Sequence, residues 1–231
     1  MHDVLNGKKS IFFDVGYTLD YPASGDWMFT NRFLKYAGDR LKTISPERIR
    51  SAREKGLQYL TEAHLLHDID EEQDRFRHYY AIISDALELG LSEQQCRNAA
   101  YDRACNMENY VIYPDAKKVL ETLSTSFSLG IISDTWPSIG MQLGTLGIGH
   151  YFSFATYSYE LGVFKPDERM YLDALSKCGC APEETVFIDD VPRNLEGAAR
   201  LGITPVLIAA EPASDIEVFC TKIHSLSELL Q

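Results

Sequence analysis

The chain has 231 residues, enough to bury a full core as one domain or as a core carrying an insertion. Hydrophobic residues make up 45% and charged residues 24%, a globular balance that excludes wholesale disorder and collagen-like repeats. Its 22 basic and 34 acidic residues give a formal net charge of −12, which repels a nucleic-acid backbone, and no Lys/Arg run gathers positive charge locally.

Residues 1–10 contain no apolar segment or cleavage site of the secretory kind, and no apolar run approaches the length of a membrane span. A cytoplasmic location is expected, with neither membrane nor nucleic acid as a partner. The oligomeric state is left open. Cys96, Cys105, Cys178, Cys180 and Cys220 form no C-x-x-C pair, and their scattered spacing argues against a disulfide framework. Cys178-Gly179-Cys180 reads as a structural pair of thiols.

In chain order, Ile11-Phe12-Phe13 is a short apolar run that stops on Asp14. A helix is predicted over Trp27–Tyr36, and another over Pro46–Leu66, with Ser45 as N-cap and Pro46 at the first helical position. Glu71–Leu89 places Phe76, Tyr79, Tyr80, Ile83 and Leu87 at helical spacing. Ser92-Glu93-Gln94-Gln95 is a capping box that opens a helix carrying Cys96, Ala100, Ala104 and Met107 on one stripe. No strand-like alternation interrupts this stretch, so residues 20–110 read as an all-helical insertion. His64 and His67, with Asp68 and Asp70 beyond, have transition-metal spacing but read as ordinary packing and surface residues.

Further along, Lys117–Ser124 is helical, and Gly130-Ile131-Ile132 is an apolar run ending on Ser133-Asp134. Asp167–Ser176 is helical. Val186-Phe187-Ile188 ends on Asp189-Asp190, and the helix Asn194–Leu201 stops before Gly202. Pro205–Ala209 is a further strand and Ser225–Leu230 a terminal helix. Short apolar runs between helical patterns are buried parallel strands, and in open α/β sheets ligands bind beyond the carboxyl ends of such strands. Asp14, Ser133, Asp134, Asp189 and Asp190 are therefore expected along one rim of one sheet.

The runs Phe12-Phe13-Asp14-Val15-Gly16-Tyr17-Thr18-Leu19, Ile131-Ile132-Ser133-Asp134, Lys165-Pro166 and Phe187-Ile188-Asp189-Asp190 are each weak signals. A lone Asp at a strand end is usually a turn residue, and a lone Lys-Pro usually a solvated loop. In this order, each on its expected element, they resemble the four motifs of the haloacid dehalogenase superfamily over nearly the whole chain. The resemblance implies a doubly wound, Rossmann-like α/β core over residues 1–19 and 111–231, with a helical cap over 20–110. It implies a hydrolase, most often a phosphatase of a small phosphorylated metabolite working through an aspartyl-phosphate on Asp14. By the same resemblance Mg²⁺ is held by Asp14, Asp189, Asp190 and the carbonyl of Gly16. Lys165 neutralises the nucleophile and the phosphoryl group. Ser133, Asp134, Thr18 and Lys165 bind substrate, and Thr18 orients Asp14. The chemistry is sound on its own terms: a carboxylate approaching a phosphate dianion needs a hard cation, and magnesium selects oxygen ligands.

One position departs from the pattern. Family phosphatases carry a second aspartate two residues after the nucleophile as general acid, and here that residue is Gly16. The carbonyl survives and the proton donor does not, at a typical cost of about 10²–10⁴-fold in rate. Three readings follow: a substrate with a good leaving group, such as an anomeric sugar phosphate or acyl phosphate; a proton from Tyr17, Asp20 or a cap residue; or chemistry other than phosphoester hydrolysis. Haloacid dehalogenases lack the second aspartate and need no metal. Phosphonate-cleaving members use a cap lysine, for which Lys35, Lys42 and Lys55 are available. A binding protein without turnover is the non-enzymatic alternative.

Overall fold

The computed structural model describes residues 1–209 and 219–231. Its strands are β1 (Ser10–Phe13), β2 (Asp20–Pro22), β3 (Tyr110–Ile112), β4 (Ser128–Ser133), β5 (Phe154–Tyr157), β6 (Thr185–Asp189), β7 (Thr204–Ile208) and β8 (Thr221–Ile223). Six of them form one sheet in the order β5-β4-β1-β6-β7-β8, every pairing parallel. The strands at its centre carry near-continuous apolar runs because helices cover both faces of such a sheet; all of β1 and β6 is buried. Strand order reverses at β1, which lies between β4 and β6, and the doubly wound α/β architecture follows.

The chain divides into two compact units. One comprises residues 1–21, 112–135 and 143–231; the other comprises 22–111 and 136–142. β2 and β3, which pair with each other, lie where the chain passes out of the first unit and back. The stretch 20–110 is thus bounded by short strands that a purely helical reading misses. The segment 136–142, which sequence assigned to the core, groups with the second unit.

The second unit holds α1 (Asn31–Ala37), α2 (Arg40–Thr43), α3 (Pro46–Thr61), α4 (Ile69–Ala86) and α5 (Glu93–Cys105). Ser45 and Ser92 cap α3 and α5 through their hydroxyls, and Ser92 with Gln95 completes the capping box. The expected Trp27–Tyr36 helix begins only at Asn31. The Asp26 carboxylate takes the N–H groups of Met28 and Phe29 into a turn, and Thr30 then supplies the N-cap. α3 ends at Thr61, five residues early, and His64 beyond it turns edge-on to Trp136 at 4.6 Å between ring centroids. Phe33, Phe76, Tyr79, Tyr80 and Ile83 form the core of this unit.

In the first unit follow α6 (Ala116–Ser124), α7 (Ile139–Leu146, whose first turn belongs to the second unit), α8 (Ser158–Leu161), α9 (Glu168–Cys178) and α10 (Pro192–Arg200). One face of the sheet is covered by α9 and α10, where Met170, Tyr171, Ala174, Leu195 and Ala198 meet Phe12, Ile132 and Phe187. The expected terminal helix is a single 3₁₀ segment, Leu226–Leu230.

Candidate active site

Parallel register decides which side chains meet. Phe13 pairs with Ile131 on one side and with Ile188 on the other, so the next residues, Asp14 and Asp189, emerge side by side. The Asp14 N–H donates to the Ile188 carbonyl at 2.9 Å and carries the ladder one step past the end of β1. The chain then turns tightly: the Val15 carbonyl accepts from the N–H groups of Thr18, Leu19 and Asp20 at 3.2, 2.7 and 3.2 Å.

Lys165 joins the acids. Its ammonium, buried to 3% exposure, donates to Asp14 Oδ1 at 2.7 Å, to Asp189 Oδ2 at 2.7 Å and to the Ile132 carbonyl at 3.2 Å. Burial pushes this ammonium toward losing its proton, but the carboxylates of Asp14, Asp189 and Asp134 outweigh that and hold its pKa above the usual value. Asp134, exposed, accepts the Lys165 N–H at 2.9 Å and so fixes the lysine backbone.

Asp14, Asp189 and Asp190 each offer an oxygen, all within 4.8 Å of one another. Their situations differ. Both oxygens of Asp189 are engaged, Oδ1 by the Val191 N–H at 2.7 Å and the Asn194 amide at 3.1 Å, Oδ2 by Lys165 and the same amide at 3.1 Å. Among the described residues, the second oxygen of Asp14 and the Gly16 carbonyl accept no hydrogen bond, and the Asp190 carboxylate has only a backbone N–H, its own, to set against its burial. Three carboxylates against one ammonium leave two formal negative charges. Burial first, and the neighbouring carboxylates after it, push Asp14 up to about 8 against the pull of Lys165. Burial and Asp189 push Asp190 up to about 7. A cluster of half-satisfied carboxylates with a two-charge deficit is the donor set a hard divalent cation fits. It is the only such group among the described residues. His64 and His67 do not add a second one: His67 sits beside Glu71 at 3.1 Å, and His64 is buried against Trp136.

Ser133 is buried at the end of β4, in register with Tyr157. The resemblance implies that Thr18 orients Asp14; its hydroxyl is fully buried and finds no hydrogen-bond partner among the described residues. Of the proposed proton donors, Tyr17 is exposed with its backbone at φ 55°, whereas Asp20 is completely buried. Two residues of the site were given no role from sequence. Asn194 follows the fourth motif five residues past Asp189, in the first turn of α10, and its hold on Asp189 is set by the fold. Ser158 grips both backbone groups of Thr135 from far along the chain, and nothing local signals that.

A family model for haloacid dehalogenase-like hydrolases matches residues 9–202. The chain belongs to that family. Within it, phosphoserine phosphatase of Thermus thermophilus is 30% identical over 131 residues, covering 55% of this chain and 53% of that protein. The chain spans about half the length of the phosphatases it matches. (S)-2-haloacid dehalogenase 4A of Burkholderia cepacia is 24% identical over 185 residues, 77% of each chain. The fold is that of a family hydrolase from Bacillus subtilis, solved with magnesium bound and reported to reveal interdomain movement, at a TM-score of 0.65 and 16% identity over 96% of both chains.

Proposed function

We propose that the protein is a magnesium-dependent phosphatase of a small phosphorylated metabolite, acting in the cytoplasm through an aspartyl-phosphate on Asp14. One observation carries this reading: Asp14 keeps an unengaged oxygen at a sheet edge, among carboxylates whose charge Lys165 only partly offsets. The phosphatases among the relatives, named for phosphoserine and for glyceraldehyde 3-phosphate, support it.

Asp14, Asp190 and the Gly16 carbonyl would hold the ion, with Asp189 contributing charge from behind through Lys165 and Asn194. Bound there, Mg²⁺ supplies positive charge that lets a phosphate dianion approach a carboxylate. Lys165 orients Asp14 and pulls against the burial that favours its protonated form. Asp14 attacks phosphorus in line with the leaving oxygen; the new O–P bond forms as the ester bond breaks. With Gly16 at the donor position, the leaving oxygen departs as an anion or takes its proton from solvent. The Ser133 hydroxyl and the backbone N–H groups beyond it would hold the phosphoryl oxygens. Water then attacks the phosphorus, releasing inorganic phosphate and restoring Asp14.

A panel of phosphorylated metabolites assayed with and without Mg²⁺ tests this, with Asp14→Asn as control. Metal-dependent phosphate release abolished by the substitution is the expected result. Release that persists in Asp14→Asn, or that ignores a chelator, would sink it. The second reading, hydrolysis of a 2-haloacid, is favoured by Gly16 and by the dehalogenase relative. Halide release in chelator, with no phosphate release, would establish it.

A further inference from the structure

α9 ends in a pair of thiols. Cys178 is its last residue, and Gly179 turns the chain with a left-handed backbone at φ 67°, so Cys180 follows after a single residue. The turn folds both sulfurs back over one stretch of main chain. The Cys180 N–H donates to Cys178 Sγ at 3.3 Å, and the Cys180 thiol donates to the Cys178 carbonyl at 3.7 Å. The Cys178 thiol donates to the Leu175 carbonyl at 3.4 Å and lies within interaction range of the Cys180 thiol.

The sequence reads this pair as structural thiols, and a cysteine that packs as a small apolar group is normally fully buried. Cys96 is such a residue, at 2% exposure. Cys178 and Cys180 are only half-buried, and a Cβ built on Gly179 between them meets nothing within 4 Å, so the turn that carries them is open. Thiolate sulfur selects soft metal ions over magnesium. A structural zinc ion takes four ligands. Among the described residues no third Cys, His, Asp or Glu joins the pair, since the one group of three or more is Asp14, Asp189 and Asp190. Two sulfurs alone suit a monovalent soft ion that is content with two-coordinate sulfur, as copper(I) is. Exchanging two thiol protons for one such ion leaves one net negative charge. The Lys9 ammonium, paired with Glu184 at 2.6 Å, lies near enough to Cys180 to offset part of it.

We propose that Cys178 and Cys180 form a two-sulfur site for a soft monovalent cation, copper(I). On binding, both S–H groups release their protons to solvent, two Cu–S bonds form, and the copper keeps its oxidation state. Cys180 lies before Thr185, where β6 begins, whereas Asp189 ends that strand. The site therefore stands at the opposite edge of the sheet from the acids, and it does not rest on the phosphatase reading.

The test uses the full chain, reduced and free of oxygen, with copper(I) supplied as its coloured bicinchoninate complex. The wild type should withdraw one equivalent, read as loss of that colour. Cys178→Ser and Cys180→Ser should each weaken binding by about 100-fold or more, because each removes one arm of a chelate. Cys105→Ser and Cys220→Ser, which alter the other half-buried thiols, should leave it within about threefold. A second measurement needs no variant. Copper(I) should protect Cys178 and Cys180 together from iodoacetamide while Cys105 and Cys220 are still alkylated, as mass spectrometry of the peptides reads out. Zn²⁺ at the same concentration should give no such protection. A wild type that takes no copper from the chelator overturns the proposal. So does a Cys178→Ser or Cys180→Ser chain that binds within about threefold of the wild type. Protection that extends equally to Cys105 and Cys220, or that Zn²⁺ gives as strongly, overturns it as well.

Discussion

Asn194 donates one amide to both oxygens of Asp189, at 3.1 Å each, and so holds the first carboxylate of the Asp189-Asp190 pair in place. Its neighbour has no such partner. Two adjacent residues of identical chemistry therefore have separable tasks, and substitution should separate them.

Asp190→Asn should cost at least about tenfold in Mg²⁺ affinity and leave the metal-free melting temperature unchanged or higher, since it relieves repulsion in the cluster. Asp189→Asn should destabilise the fold by about 3 kcal/mol or more, because it removes a buried partner of Lys165. Isothermal titration and thermal melts check both. Equal effects of the two substitutions on stability would refute the division.

The raised values of Asp14 and Asp190 give the metal-free protein a signed pH dependence. An unfolded aspartate titrates near about 4, so between there and about 8 the folded state holds more protons than the unfolded one. Metal-free stability should therefore fall as pH rises through this window. Mg²⁺, which binds the ionised form, should raise the melting temperature more at pH 8 than at pH 6. A metal-induced shift that shrinks with rising pH would contradict it.

Lys165→Met should be among the most damaging single changes. It leaves Asp14 and Asp189 buried without their counter-ion, a loss of about 3–5 kcal/mol when one side of such a pair is removed. At neutral pH the variant should require Mg²⁺ to stay folded at temperatures the wild type tolerates. Melts with and without chelator check this.

Gly16 should make turnover steeply dependent on leaving-group pKa, with aryl phosphates cleaved much faster than alkyl ones. Gly16→Asp should flatten that dependence and raise the alkyl rate by about tenfold or more, within the usual contribution of a general acid. Alkyl rates that start as high as the aryl rates would mean that another residue already donates.

The rim of the sheet was legible because apolar runs that stop on a carboxylate are a local signal: Ile11–Phe13, Gly130–Ile132 and Val186–Ile188 all became central strands. The edge strands were not. β5 (Phe154–Tyr157) is only partly buried and β8 has three residues, so neither makes the apolar run that marks a buried strand. Capping chemistry placed Ser45 and Ser92 correctly, while the turn built by Asp26 delayed a helix whose apolar pattern began earlier. Within the site, identities were readable and pairings were not. That Asp134 serves the backbone of Lys165, or that the Thr18 hydroxyl finds no hydrogen-bond partner among the described residues, depends on side chains brought together by the folded sheet.

All three hydrogens of the Lys165 ammonium are already committed, to two acids and a main-chain oxygen. The lysine is thus a resident counter-ion that lets Asp14 and Asp189 be brought together while the chain folds, before any metal arrives. On the magnesium-dependent reading, loading would then be capture by a finished cradle rather than construction around an ion. On the same reading, a phosphoryl oxygen could reach this ammonium only by displacing the Ile132 carbonyl or one of the two acids.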